Sequence, residues 1–469
     1  MEDETVFTSD TDLDFSFTST TTDRTFASSS ARSSLTLSFN ESRLSTTTTN
    51  TATTFVHRGK CDPNWSAIKT ARSLSSDGNL HLRHLKLVRH LGTGNLGRVY
   101  LCNIRDCKNS DFALKVIDRE SLTHKKLLQV QMEAQILSML DHPFLPTLYA
   151  HIEVSHYTCL LIDYCCNGDL HSLLRKQPGN RLPVQAVRFF AAEVLIALEY
   201  LHALGIVYRD LKPENILLRE DGHIMLSDFD LCFKSEVVPT METTRVRKRV
   251  SRTTNCFGGP VKEPAEEDVE VEFVAEPTAA YSKSCVGTHE YLAPELVSGN
   301  GHGSGVDWWA FGILIYELLY GTTPFKGGSK EGTLRNIASN MQVKCHVAES
   351  EEKGMEEAKD LIGRLLVKEP SRRLGCSKGA TEIKRHRFFD GLNWALLRNY
   401  KTPDVYGQVK KGQPHVNHVT GDSRGRRRRS WWKGFRFLLK NKGGEKFKRL
   451  NSNLSNSSYY HHVNSTKID

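Results

Sequence analysis

The chain has 469 residues, a net charge of +9 and a hydrophobic share of 39%, which leaves room for one large two-lobed domain with tails or for two or three ordinary domains. That hydrophobic share is low for a chain packed throughout, so part of it is expected to lie outside any core. Eleven cysteines at irregular spacing contain no CxxC pair for a zinc site; the start lacks the basic and apolar features of a secretory leader; and Glu193 and Glu199 interrupt the longest apolar candidate, Phe189 to Val207, so no segment is expected to span a bilayer. The expectation is a soluble protein of a reducing compartment with free thiols.

Residues 1–84 are dominated by Ser, Thr and Asp, with runs such as TTTTNTATT. Such a stretch buries too little apolar surface to offset its ordering entropy, and disorder is expected. The pattern changes at HLRHLKLVRHLGTGNLGRVYLCNI, where alternating apolar residues predict strands around a glycine-rich turn. DFALKVID reads as a further strand, LLQVQMEAQILSML as a helix, and TCLLIDYC as a buried strand. Long helical patterns follow at PVQAVRFFAAEVLIALEYLHALG and VDWWAFGILIYELLYG. Strands first and helices later predict an α+β fold with a small sheet-rich lobe and a larger helical one. Residues 235–280 break the pattern: RVRKRVSR is followed by EPAEEDVEVEF, neither shows a core period, and an inserted loop is expected. The domain is thus placed at 85–389, and residues 390–469 form an extension with a basic, aromatic tail, RGRRRRSWWKGFRFLLKNK.

Phosphoryl transfer needs a cradle for phosphate, metal over it, and a group that orients the acceptor hydroxyl. In LGTGNLGRV, Gly92, Gly94 and Gly97 would let backbone approach phosphate oxygens without a Cβ in the way. An ordinary hairpin turn would account for that stretch alone. Lys115, in a strand interior, needs an anionic partner, and Glu133 on the next helix is the natural one; the pair would hold Lys115 against the α- and β-phosphates. In YRDLKPENILL, Asp210 would orient or accept the proton of the acceptor hydroxyl, Lys212 would neutralise the migrating phosphoryl group, and Asn215 would hold magnesium; in LSDFDLCF, Asp228 would bridge metal and phosphates.

These stretches, with APE at Ala293 to Glu295, resemble a eukaryotic protein kinase over about 300 residues, from Leu85 to Phe389. VGTHEYLAPE and HRFFDGLNW resemble the AGC group, and DFD with a long insertion before SCVGTHEYLAPE resembles its plant branch. The Ser/Thr-rich start and LHLRHLKLVRHLGTGNLGRVYLC are most similar to the PINOID/WAG kinases of auxin signalling. The resemblance implies ATP and Mg2+ as cosubstrate and metal, and serine/threonine acceptors. It departs from the commoner pattern at Asp230, where glycine is usual, and at Tyr208, where histidine is usual. Asp tolerates unusual φ better than most residues, so Asp230 is expected to restrict the loop rather than disable it. Tyr208 is expected to stack with Phe229, Leu137 and Leu148 between the lobes. An active enzyme is the reading; a pseudokinase scaffold is the alternative.

By the same resemblance, Leu91 and Val99 on the glycine-rich strands and Ala113 close over adenine, Leu217 lies beneath it, and Ile162 lines the back. Asp163 and Cys165 offer backbone hydrogen bonds, and Asp169 reaches the ribose. Glu214 and Asp169 form an acidic patch for basic substrates, with Thr288 near the acceptor. Phosphate on Ser284 would pair with Arg209 and order the loop. Glu295 and Arg373 are expected to pair, and Asp307 to tie down the catalytic-loop backbone. Implied partners are protein substrates, above all auxin efflux carrier loops, and a phosphoinositide-dependent upstream kinase, although the chain end YYHHVNSTKID lacks the FxxF motif that recruits it. The basic runs fit solvated charge, nuclear import or anionic lipid; the aromatics among them favour a membrane interface. No nucleic-acid partner is expected. The expected location is cytoplasmic, peripheral at the plasma membrane, with a nuclear pool as the competing reading.

Overall fold

The computed structural model describes residues 62–405, apart from 106, 108–109, 238–239, 248–266, 275, 278–279, 283, 285, 340 and 344–351. Helix α1 (Pro63–Ser73) starts where Asp62 accepts the Asn64 N–H at 2.9 Å and Pro63 occupies a position that needs no donor. Its buried residues, Ala67, Ile68 and Ala71, lie on one face. Disorder expected to residue 84 is therefore corrected over 62–84: a short apolar helical face was hidden in a polar composition. The preceding residues, 1–61, lie outside the described part.

Strands β1 (Leu85–Thr93), β2 (Arg98–Ile104) and β3 (Asp111–Asp118) are followed by helix α2 (His124–Met139) and by β4 (Leu148–Val154) and β5 (Tyr157–Asp163). They form one antiparallel sheet in the order β1-β2-β3-β5-β4. Alternation divides β3 between two faces. Phe112, Leu114 and Val116 pack with Ala67, Ile68 and Ala71 of α1 in one core. Ala113 and Lys115 share the other face, where Ala113 lies opposite Ile162 and Lys115 opposite Val99.

The second lobe contains α3 (Leu170–Arg175), α4 (Val184–Ala203), β6 (Ile206–Val207), β7 (Ile216–Leu218), β8 (Ile224–Leu226) and β9 (Phe233–Lys234). After the insertion come α5 (Pro294–Ser298), α6 (Gly305–Tyr320), α7 (Lys330–Ala338), α8 (Met355–Leu365) and α9 (Gly379–Lys384). Every residue of α6 from Val306 to Tyr320 is buried, as befits a helix that is apolar all round. Trp308, Trp309 and Phe311 fill the centre of the lobe against α4 and α8. Beyond residue 390, Trp394 contacts the Phe389 ring at 5.4 Å, and Leu397 and Val405 are buried, so the start of the extension packs on this lobe.

The insertion is more ordered than the sequence reading expected. Strand β10 (Thr240–Arg247) pairs antiparallel with β11 (Glu267–Val274), from Thr240 opposite Val274 to Arg247 opposite Glu267. The alternating β-branched residues of DVEVEFV carry the strand signal, which the acidic composition obscured. The register sets Glu242 opposite Glu272, Arg245 opposite Val269 and Arg247 opposite Glu267.

Candidate active site

Polar contacts converge on the loop between β6 and β7. Asp210, 6% exposed, receives hydrogen bonds at Oδ2 from Lys212 Nζ (2.6 Å) and Asn215 Nδ2 (2.9 Å), and at Oδ1 from Thr288 Oγ1 (3.1 Å). Lys212 Nζ also reaches Thr288 Oγ1 at 2.9 Å. The structure thus brings together four residues named from sequence, one of them 78 positions away. The loop backbone is fixed by Asp307, fully buried on α6, which accepts the N–H groups of Tyr208 (2.8 Å) and Arg209 (2.7 Å). Arg209 sits at φ +65, a conformation that costs a non-glycine residue energy and persists only under such restraint.

Lys115 and Glu133 meet as expected: Nζ lies 2.5 Å from Oε1, with both side chains buried. The same ammonium is 3.5 Å from Asp228 Oδ1, which joins β3 to the opposite lobe. Burial would lower the Lys115 pKa, but the carboxylates of Glu133 and Asp228 outweigh it and hold the ammonium above its ordinary range. Asp228 and Asn215 are drawn together by Ser227, whose N–H and hydroxyl both donate to Asn215 O, at 2.9 and 3.1 Å. Because Asn215 Nδ2 is committed to Asp210, its amide oxygen remains as an acceptor.

The departure at Asp230 resolves differently from the expectation. Positive φ falls on Asp228 (+59), and Asp230 is not among the residues with positive φ. Tolerance of unusual φ is therefore not what Asp230 supplies. It is buried, and its Oδ2 accepts from Asn95 Nδ2 in the glycine-rich turn at 3.3 Å. Lys126 on α2 donates to Asn95 Oδ1 at 3.0 Å, so turn, helix and DFD segment are joined. Burial and the neighbouring Asp228 push the Asp230 carboxyl up. Tyr208 stacks edge-on against Phe229 at 5.5 Å in the core that holds Leu137, with Leu148 at its margin.

The three glycines differ in their surroundings. A Cβ on Gly97 would lie 2.4 Å from Val116 O, so the approach of the turn to β3 by itself requires a residue without a Cβ here. Gly92 faces open space and Gly94 nearly so. Leu91 and Val99 are half-buried on β1 and β2, Ala113 is buried on β3, and Ile162 is half-buried on β5. Leu217 on β7 bridges to Asp169. The Asp163 carboxylate accepts from Thr147 N–H (2.8 Å) and Tyr149 Oη (2.9 Å), and burial pushes the Cys165 thiol up. Asp169 caps α3 through the Ser172 N–H at 2.6 Å, a role not read from sequence. Glu214 is half exposed, 3.9 Å from His171 Nε2.

Around the activation segment, Arg209 Nη1 donates to Ser284 Oγ (2.7 Å) and Ser282 Oγ (3.3 Å), and its guanidinium lies 4.6 Å from the Phe233 ring centre. Arg373 grips Glu295 with both terminal nitrogens, at 2.7 and 2.9 Å, and is itself buried. Sequence reasoning missed His202, Glu276 and Asn95. His202 in EYLHALG had a signal, a polar side chain on an otherwise apolar helix face; Glu276 had none.

Among the described residues no helix is long and apolar enough to cross a membrane, no group of three metal-binding side chains occurs, and the seven cysteines are free. The basic tail lies outside the described residues.

A protein kinase domain family model matches residues 85–249 and 271–389, leaving the centre of the insertion unmatched. The chain is 65% identical to serine/threonine-protein kinase WAG1 of Arabidopsis thaliana over 87% of this chain and 86% of that protein. It is 64% identical to serine/threonine-protein kinase WAG2 of the same plant, over 99% and 98%. Protein kinase PINOID 2 of Oryza sativa subsp. japonica is 43% identical over 73% of this chain and 81% of its own length. With the two-lobed α+β architecture, these matches show that the chain belongs to the protein kinase family, as a plant serine/threonine kinase of the PINOID/WAG type in the AGC group.

Proposed function

We propose that the protein transfers the γ-phosphoryl group of ATP to Ser/Thr hydroxyls of protein substrates, with Asp210, Lys212, Lys115 and Glu133 as its catalytic set. The observation that carries this reading is the convergence of Lys212, Asn215 and Thr288 on the buried Asp210 carboxylate. The Thr288 hydroxyl lies where a hydroxyl is held by Asp210 and Lys212 at once, the arrangement an acceptor hydroxyl requires. Asp210 orients that hydroxyl and takes its proton. Lys212 offsets negative charge on the transferring group. Lys115, kept charged by Glu133, binds the α- and β-phosphates. The oxygens of Asp228 and Asn215 are hard donors of the kind Mg2+ takes, and they would hold it over the phosphates, where it would neutralise their charge. Leu91, Val99, Ala113, Ile162 and Leu217 close on adenine, with backbone of Asp163 and Cys165 at its edge. The intact set speaks against a scaffold without catalysis.

The finer reading is a role in auxin signalling through efflux carrier loops, supported by similarity to the WAG and PINOID kinases. Exposed Glu214 with Asp169 favours basic residues upstream of the acceptor. Ser284 is the regulatory phosphosite, served by an upstream kinase. The basic runs hold the enzyme to the anionic cytosolic leaflet, at about 1 kcal/mol per basic residue. A peptide library with ATP tests the reaction and its basic preference; uniform phosphorylation of acidic and basic peptides would overturn the patch. Sedimentation with anionic liposomes tests the anchor; equal binding after both basic runs are neutralised would overturn it in favour of nuclear import.

A further inference from the structure

His202 has no exposed surface, and each ring nitrogen faces a carboxylate: Nδ1 is 2.9 Å from Glu276 Oε2, and Nε2 is 2.9 Å from Asp307 Oδ2. Ionised carboxylates only accept hydrogen bonds, so both nitrogens donate and the ring is an imidazolium. Asp307 then receives the N–H groups of Tyr208 and Arg209, and Asp210 is the next residue. Glu276 stands just after β11, on the arm that returns from the insertion. A second feature keeps this carboxylate in place. Gly379, at φ +62 in α9, approaches it so closely that a Cβ there would sit 2.0 Å from Glu276 Oε1.

We propose that Glu276 is a positioning residue for phosphoryl transfer: through His202 and Asp307 it sets the catalytic-loop backbone, and so wires the insertion to the active site. Removing one partner from a buried charged network leaves the others uncompensated. Without Glu276, His202 faces a single carboxylate. Its neutral form then becomes accessible, and Asp307 loses the cation that balances it while it holds the two N–H groups. Asp307 is faced also by Arg209, Cys232 and His302, and Glu276 by Cys376 and, around a shared cavity, by Lys378, Lys384, Glu199 and His142. The two hydrogen bonds of the His202 ring go to Glu276 and Asp307. With Glu276 present the imidazolium persists to a pKa of about 10, because the two carboxylates outweigh burial, which opposes it.

The proposal rests on Asp210 orienting the acceptor, and the test separates the two. Full-length wild type, Glu276→Gln and Glu276→Asp are compared from pH 6 to 9 by steady-state kinetics and by hydrogen exchange of the Tyr208 and Arg209 amides. For Glu276→Gln, kcat is expected to fall by about 10- to 100-fold as pH rises across this range, with KM for ATP little changed, since small misplacements of reacting groups cost about that much. The two amides should exchange faster in parallel. Glu276→Asp, which keeps the charge, should retain a flat profile. A Glu276→Gln enzyme with wild-type kcat and wild-type exchange at every pH overturns the proposal, as does a loss that does not vary with pH. The exchange readout stands even if wild type shows no turnover, in which case the reading of Asp210 fails on its own.

Discussion

Arg209 and Ser284 are joined directly, guanidinium Nη1 to hydroxyl Oγ at 2.7 Å, and Arg209 is the residue before Asp210. A phosphate on Ser284 would therefore form a charge-assisted pair at the edge of the catalytic loop without any rearrangement of Arg209. Ser284→Ala is expected to lower kcat by about tenfold in protein phosphorylated in eukaryotic cells, corresponding to one or two charge-assisted hydrogen bonds. The check is turnover of wild type before and after phosphatase treatment; equal rates would remove Ser284 as a switch.

The Lys115–Glu133 pair is buried, so a partner left alone by substitution keeps an uncompensated charge. Glu133→Gln should reduce kcat/KM by roughly 100-fold, since breaking a buried pair costs about 3–5 kcal/mol, part of which falls on Lys115 placement. Lys115→Met should be inactive. Steady-state kinetics with ATP as the varied substrate decide the matter, and an unchanged KM and kcat in Glu133→Gln would contradict the role assigned to the pair.

Asp230 has a hydrogen-bonding task and no special backbone one. Asp230→Gly is expected to keep kcat within about threefold while raising KM for ATP a few-fold, because it removes one hydrogen bond to the Asn95 turn worth about 1 kcal/mol. An increase in turnover by orders of magnitude would mean that aspartate cripples the natural enzyme.

The His202 imidazolium also makes stability depend on pH. Its folded pKa, about 10, lies above its ordinary value of 6.5, so its contribution is complete below about pH 6.5 and is lost as pH rises toward 10. The gap in unfolding temperature between wild type and Glu276→Gln should be widest at and below about pH 6.5 and narrow steadily toward pH 10. A gap that widens with pH would reverse the sign and contradict a charged His202 ring.

What the sequence made legible follows from how each contact is encoded. Lys115, Glu133, Asp210, Asn215 and Asp228 are each carried by a local motif, and the fold class by the order of strands and helices. Asp307 and the Glu295–Arg373 pair were reachable only through resemblance. Helix α1 was concealed because three small or apolar residues, Ala67, Ile68 and Ala71, sit among Ser, Thr and Lys and become a core only against the sheet. The pairing of β10 with β11 was concealed because charge composition dominated a real alternation. Glu276 and His202 are 74 positions apart, and nothing local in either stretch names the other. The motif named Gly97 for the phosphate turn, but its close approach to Val116 of β3 is a contact that only the fold makes visible.

The central claim is that Asp210 orients the acceptor in a working kinase. The most direct measurement is transfer of labelled γ-phosphate from ATP, with Mg2+, to a Ser/Thr peptide by purified wild type and Asp210→Asn, with nucleotide affinity measured on both. The account predicts turnover in the range of about 1–100 s⁻¹ for wild type, a loss of about 10²–10⁴-fold in Asp210→Asn, and nucleotide affinity that is nearly unchanged. Equal incorporation by the two proteins, or a fall in nucleotide affinity as large as the fall in rate, would contradict it.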